Sequence, residues 1–179
     1  MWDTEKKPRV VSLKRYRVWC DTMKEWDISD ITVRLQLGPV DDSNMDIVVK
    51  TRNISLGMAP PGTPLEAGSI TVEEESFAET CIYWPPIALS DEDRRKRIFE
   101  AVDNALAEAV SVDAKDIGLF TMGLEVARIP SWEIAEEIVK AVLAHGKKQS
   151  PIHTINLIAS TPTQVSSFEF ALNNWPILP

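Results

Sequence analysis

Few side chains in this sequence are of types that do chemistry, and their spacing narrows the choice further. There are two histidines, His145 and His153, and two cysteines, Cys20 and Cys81. A zinc ion needs several such ligands at set spacings, and no CxxC or HExxH string brings two of them together. The GxxxxGK[ST] and GxGxxG turns that cradle phosphates are missing, as is the GxSxG of a serine nucleophile. His145, at a helix end, reads as a cation that steadies the helix dipole, and His153, heading a strand, as a structural imidazole. Cys81 lies in an apolar run and reads as a buried, inert thiol. Glu73-Glu74-Glu75 reads as a solvated turn with a weak hold, at most, on a divalent cation. Neither a metal nor a cofactor is expected.

One loop stands apart. Phe120-Thr121-Met122-Gly123-Leu124-Glu125-Val126-Ala127-Arg128-Ile129-Pro130 separates a short apolar run from a helix start. In a sheet with helices on both faces, ligands bind in the crevice at the carboxyl ends of the strands. A loop there that enters a helix N-terminus is suited to an anion. Gly123, Leu124, Glu125, Val126, Ala127 and Arg128 are therefore candidate binding residues.

The elements that would position this loop follow from periodicity. Arg9–Trp19 partly alternates and Ile31–Leu37 alternates clearly, ending at Gly38-Pro39, so both read as strands. Asp46–Val49 suits a strand buried on both faces. Leu56–Pro64, rich in Gly and Pro, reads as loop, and strands are expected at Ser69–Val72 and Glu79–Trp84. Ser90 with Asp93 forms a capping pattern, and Ile98, Phe99, Val102, Ala105, Leu106 and Ala109 then recur at helical spacing. Ile117–Phe120 is a short buried strand. Pro130-Ser131 opens a second helix that His145 and Gly146 close. Ile152–Ala159 is a strand and Thr163–Leu172 a final helix, while Trp175–Pro179 cannot be helix. Strand and helix alternate, which implies crossover units on a partly parallel sheet. The expected fold is a three-layer α/β/α sandwich with a mixed, partly parallel central sheet.

The chain has 179 residues, 44% hydrophobic and 26% charged, a globular composition in the roughly 100–200-residue range of one domain. No apolar run approaches the ~20 residues that span a bilayer. The first residues lack the apolar core of a secretory signal, so a cytoplasmic protein is expected. Net charge is −8, yet residues 1–24 hold seven basic and three acidic residues, leaving −12 on the rest. So acidic a body repels phosphate backbones and argues against nucleic acid as a partner. Residues 1–27 read as a basic extension that adds a strand, 28–174 as the domain proper, and 175–179 as a tail.

Several local strings resemble the macro domain, a family that binds ADP-ribose and in some members hydrolyses its esters. Asp30-Ile31-Thr32 is similar to the family's DIT string, whose aspartate contacts adenine. Asp46–Asn53 is similar to its D-x-I-V-N-A-A-N strand, with Asn53 on the asparagine that faces the distal ribose and Lys50 on the preceding one. Arg97–Phe120 follows the family's helix and next strand, and Gly123, Val126 and Pro130 fall on its phosphate loop. The resemblance implies an ADP-ribose-like nucleotide as ligand, contacts from Asp30, Ile31, Asn53 and residues 123–128, and Asn53 as the catalytic residue of any hydrolase.

The departures from the family pattern are chemical. Glu125 and Arg128 replace glycines that let backbone amides approach a diphosphate, where an ordinary residue costs on the order of 1–2 kcal/mol. Prolines in Gly57–Gly62 remove donors from the first glycine-rich loop. The expectation is a degenerate macro-like binding module that has lost tight diphosphate binding, with Glu125 or Arg128 projecting into the crevice and partly closing it. The alternatives are an ADP-ribose-binding protein or hydrolase with altered phosphate loops, and a structural homo-oligomerisation domain with Trp2, Trp19, Trp26 and Trp175 at its interface.

Overall fold

Alternation along Ile31–Leu37 sends Ile31, Val33 and Leu35 to one face, and all three are buried. The computed structural model describes residues 23–52, 54–57, 69–72 and 74–177. The strand expected at Arg9–Trp19 and most of the Leu56–Pro64 loop lie outside these residues. Six strands form one sheet: β1 (Lys24–Ile28), β2 (Ile31–Leu37), β3 (Ile47–Lys50), β6 (Thr80–Tyr83), β7 (Asp116–Phe120) and β8 (Thr154–Ala159). Their spatial order is β1-β2-β8-β7-β3-β6, with β1 antiparallel to β2 and every other pair parallel. β4 (Ile54–Gly57) and β5 (Ser69–Val72) pair separately as an antiparallel hairpin. With its helices, this mixed sheet is the expected α/β sandwich.

The strand period divides the core. Ile47 and Val49 of β3, Ile117 and Leu119 of β7, and Ile155 and Leu157 of β8 point towards the helices and join the large cluster. Residues out of phase with them, Val48, Phe120 and Ile158, meet Met45 on the opposite face in a smaller cluster. Gly118, opposite Val48, belongs to that face, where a Cβ would lie 2.5 Å from the Met45 sulfur. The bare backbone lets Met45 lie on the sheet.

Three long helices cover the first face. α1 (Arg94–Ser111) buries Ile98, Val102, Ala105, Leu106 and Ala109, the stripe read from the sequence. It starts later than the Ser90 capping pattern implies. Asp91 instead accepts from the Ala88 amide at 2.9 Å and from Arg97 at 2.6 Å, closing a turn ahead of the helix. A short helix, α2 (Met122–Val126), occupies the segment read as loop. α3 (Ser131–His145) follows Pro130 and packs against α1 and α4. Gly146 ends α3 in a right-handed conformation, and a Cβ there would sit 3.0 Å from Ile28. α4 (Pro162–Asn173) is capped by Thr161, whose hydroxyl accepts from the Gln164 amide at 3.3 Å. Trp175–Ile177, read as non-helical, makes one 3-10 turn. No described helix is long and apolar enough to cross a membrane.

Both histidine readings change. His145 is buried, with Nε2 2.9 Å from Ser150 Oγ, and burial, aided by Lys148, pushes its pKa below the ordinary value. It is therefore a neutral core residue at pH 7, not a dipole-balancing cation. His153 is exposed, and its backbone bonds to Thr32 and Lys115 on either side of the start of β8.

Candidate functional site

The carboxyl ends of β2, β3, β7 and β8 converge on a cavity of about 840 Å³. Residues 38–43 follow β2, Lys50 ends β3, residues 120–122 end β7, and residues 158–160 end β8. Glu74, Glu75 and Phe77 close another side. This is the crevice position expected of a largely parallel sheet.

Lys50 forms the floor. Residue alternation along β3 places it on the face of Val48, away from the helices, and leaves it 5% exposed. Its ammonium lies 2.8 Å from Asp42 Oδ2, donates to the Glu75 carbonyl oxygen, and sits 4.5 Å from the centre of the Phe120 ring. The turn at 41–44 aims Asp42 inward: Asp41 accepts from the Ser43 amide at 3.0 Å, and the Met45 amide donates to the Asp42 carbonyl oxygen. Asp42 also accepts from Ser76 Oγ at 2.9 Å and from the Phe77 amide at 3.2 Å. Burial alone would raise its pKa, but Lys50, Ser76 and Phe77 together hold it below the usual carboxylate range.

Glu74 corrects the reading of a solvated acidic turn. Its carboxylate accepts from the Thr51 amide at 2.8 Å while its own amide donates to the Thr51 carbonyl oxygen at 3.1 Å. Burial pushes the Glu74 carboxyl above its ordinary value despite that hydrogen bond. Cys81, read as buried, is half-buried beside the small cluster.

The 120–130 segment departs most from expectation. Met122 and Thr121 line the cavity, whereas Gly123 and Leu124 are buried within α2. Glu125 and Arg128, expected to project into the crevice, are not among its lining residues. Glu125 turns to the start of α4, where it accepts from Ser160 Oγ at 2.5 Å and Thr161 Oγ1 at 3.2 Å. A carboxylate thus fills the helix terminus that an anion would favour. Arg128 is exposed and takes φ 61°, the left-handed conformation that a glycine would adopt freely. Val126 and Ala127 complete the turn without reaching the cavity. Behind them Thr121 and Gln164, both fully buried, lock β7 to α4 through a 2.7 Å contact between Oγ1 and Oε1.

Asp30 and Ile31 lie at the wrong end of β2. Asp30 is exposed in the β1–β2 turn and Ile31 is in the core, whereas the cavity opens beyond Leu37. Strand direction separates them by the length of β2, so neither reaches this cavity. Asn53 lies outside the described residues. Sequence reasoning does not pick out Asp42, Lys50, Glu74 and Phe120 as site residues. A lysine closing the apolar run Ile47-Val48-Val49 is the available signal, because a buried ammonium requires acceptors.

No family model matches the sequence, and no curated protein matches it. Solved structures do. The Oceanobacillus iheyensis macrodomain with ADP is 13% identical and superposes with a TM-score of 0.65, over 87% of this chain and 97% of that one. A mutant of that macrodomain with ADPR gives 13% identity and 0.63, over 87% and 99%. The Trypanosoma brucei macrodomain in complex with ADP-ribose gives 11% identity and 0.57, over 78% and 68%. The chain has the macro-domain fold, which the likeness carries as architecture alone.

Proposed function

We propose that this chain is a ligand-binding module of the macro fold whose cavity has lost tight binding of the ADP-ribose diphosphate. One observation carries the reading: Lys50, the one basic residue among the described lining residues, already has its ammonium engaged by Asp42, the Glu75 carbonyl oxygen and the Phe120 ring. The same lining contains Asp41, Asp42, Glu74 and Glu75. An anion at ~4 Å from one such carboxylate is repelled by about 1 kcal/mol in water and about 4 kcal/mol near a protein surface. Glu125 adds a carboxylate at the α4 terminus.

Neighbours that carry ADP or ADP-ribose support a nucleotide-sized cavity, and the apolar walls suit a flat group. The test is calorimetric titration with ADP-ribose at low salt. No saturable heat below about millimolar is expected, a weakness equivalent to about −4 kcal/mol of binding. Micromolar binding refutes the proposal and revives the ADP-ribose-binding reading. Hydrolysis of an ADP-ribosylated peptide selects the enzyme.

A further inference from the structure

The cavity contains a worked example of the ligand chemistry it favours. The Lys50 ammonium is held by a carboxylate, a carbonyl oxygen and the face of a phenyl ring. Those three acceptors form a site for an alkylammonium, and Lys50 is an alkylammonium on a tether. Beyond it the lining repeats the theme. Asp41 and Glu74 accept only from neutral donors among their described hydrogen bonds, the Ser43 and Thr51 amides, which leave the carboxylate charge in place. Glu75 adds a third acidic side chain, exposed, to the same lining. The same lining carries Val40, Phe77, Met122 and Ile158, enough apolar wall for a hydrocarbon or aromatic body. Phe77, 72% exposed, is positioned at the mouth. Among the described residues no group of three or more His, Cys, Asp or Glu is placed to hold a metal ion.

We infer that the cavity takes an organic cation, an ammonium or guanidinium group on an apolar body, with Asp41, Glu74 and Glu75 facing the charge. This deepens the reading of the cavity as a ligand site closed to the diphosphate and rests on it.

Three probes of one shape and different charge test it: phenethylammonium, 2-phenylethanol and 3-phenylpropionate, each titrated into the full chain at neutral pH and low salt. Amide chemical shifts report binding. The ammonium is expected to bind roughly tenfold more tightly than the alcohol, and the carboxylate not to saturate. The double variant Asp41→Asn with Glu75→Gln alters two exposed side chains and keeps every described backbone contact. It is expected to weaken the ammonium about fivefold and leave the alcohol unchanged. Equal binding of carboxylate and ammonium, no binding of the ammonium, or an ammonium affinity unmoved by the double variant overturns the inference. ADP-ribose is titrated in parallel. Its micromolar binding overturns the underlying reading, whereas failure of both the ammonium and ADP-ribose overturns the cation inference alone.

Discussion

Replacing Lys50 by methionine isolates the electrostatics of the cavity floor, because methionine keeps most of the stem and removes the charge. Asp42, 1% exposed, would then have no cation beside it. Breaking a buried pair by deleting one partner costs about 3–5 kcal/mol. The Ser76 hydroxyl and Phe77 amide still donate to Asp42, which places the expected loss near the lower end, about 3 kcal/mol. For a domain this size, about 2–4 °C per kcal/mol lowers the melting temperature by roughly 6–12 °C. The pH dependence identifies the cause. In the wild type the Asp42 pKa is depressed by folding, so its contribution is full above the unfolded value and fades as pH falls through the folded one. In Lys50→Met burial acts without the cation, the folded pKa rises above the unfolded value, and protonation relieves the penalty. The gap between the two proteins should therefore narrow as pH drops from about 7 towards 4. Adding Asp42→Asn to Lys50→Met should recover much of the loss. Urea unfolding at several pH values measures all three. A loss under about 1 kcal/mol, or a gap constant with pH, would refute the account of a buried, mutually dependent pair.

Other consequences are simpler. Glu74→Gln keeps an acceptor for the Thr51 amide and removes a charge whose carboxyl is pushed up by burial, so it should stabilise at pH 7. That gain should vanish below the unfolded carboxyl pKa, where the wild-type side chain is also neutral, as denaturant melts would reveal. His145 should titrate below its ordinary value in an NMR pH series, and the protein should lose stability as pH falls through about 6.5 and lower. A histidine that titrates normally would contradict its burial. Trp84→Phe removes the 2.7 Å bond from Nε1 to the Phe120 carbonyl oxygen and should cost about 1–3 kcal/mol in thermal denaturation. Thr161→Ala removes the α4 cap and one partner of Glu125, with an expected loss of about 1 kcal/mol.

The fold is legible where burial imposes periodicity. The helical stripes of α1 and α3 and the alternation of β2 each reflect one buried face, and each falls within a few residues of its expected place. The crevice is legible as well, since carboxyl ends of parallel strands follow from element order. The lining is much less so. Glu125 and Arg128 look like obstructions in the sequence because a loop leaves side-chain direction open. Folding the segment as α2 turns Glu125 to Ser160, a partner 35 residues away. Asp30 stands out only through a three-residue string, and strand direction alone reveals that it caps the far end of β2. Asp42 and Lys50 are brought together by a turn and a strand whose facing depends on register. No local pattern encodes that pairing.

The lysine nevertheless constrains its surroundings. An ammonium has three protons to donate, and at 5% exposure water supplies little of the need. Asp42, the Glu75 carbonyl oxygen and the Phe120 ring meet it from three sides. A phosphate that recruited Lys50 would have to displace one of them. Displacing Asp42 strands a buried carboxylate, and displacing the carbonyl oxygen frees a backbone acceptor with the same kind of penalty. Binding a phosphate here therefore carries the cost of breaking the floor before any attraction is gained, whereas a cation that meets Glu74 leaves the floor intact. If the proposal holds, the lysine at the end of β3 sets the sign of ligand that the cavity accepts.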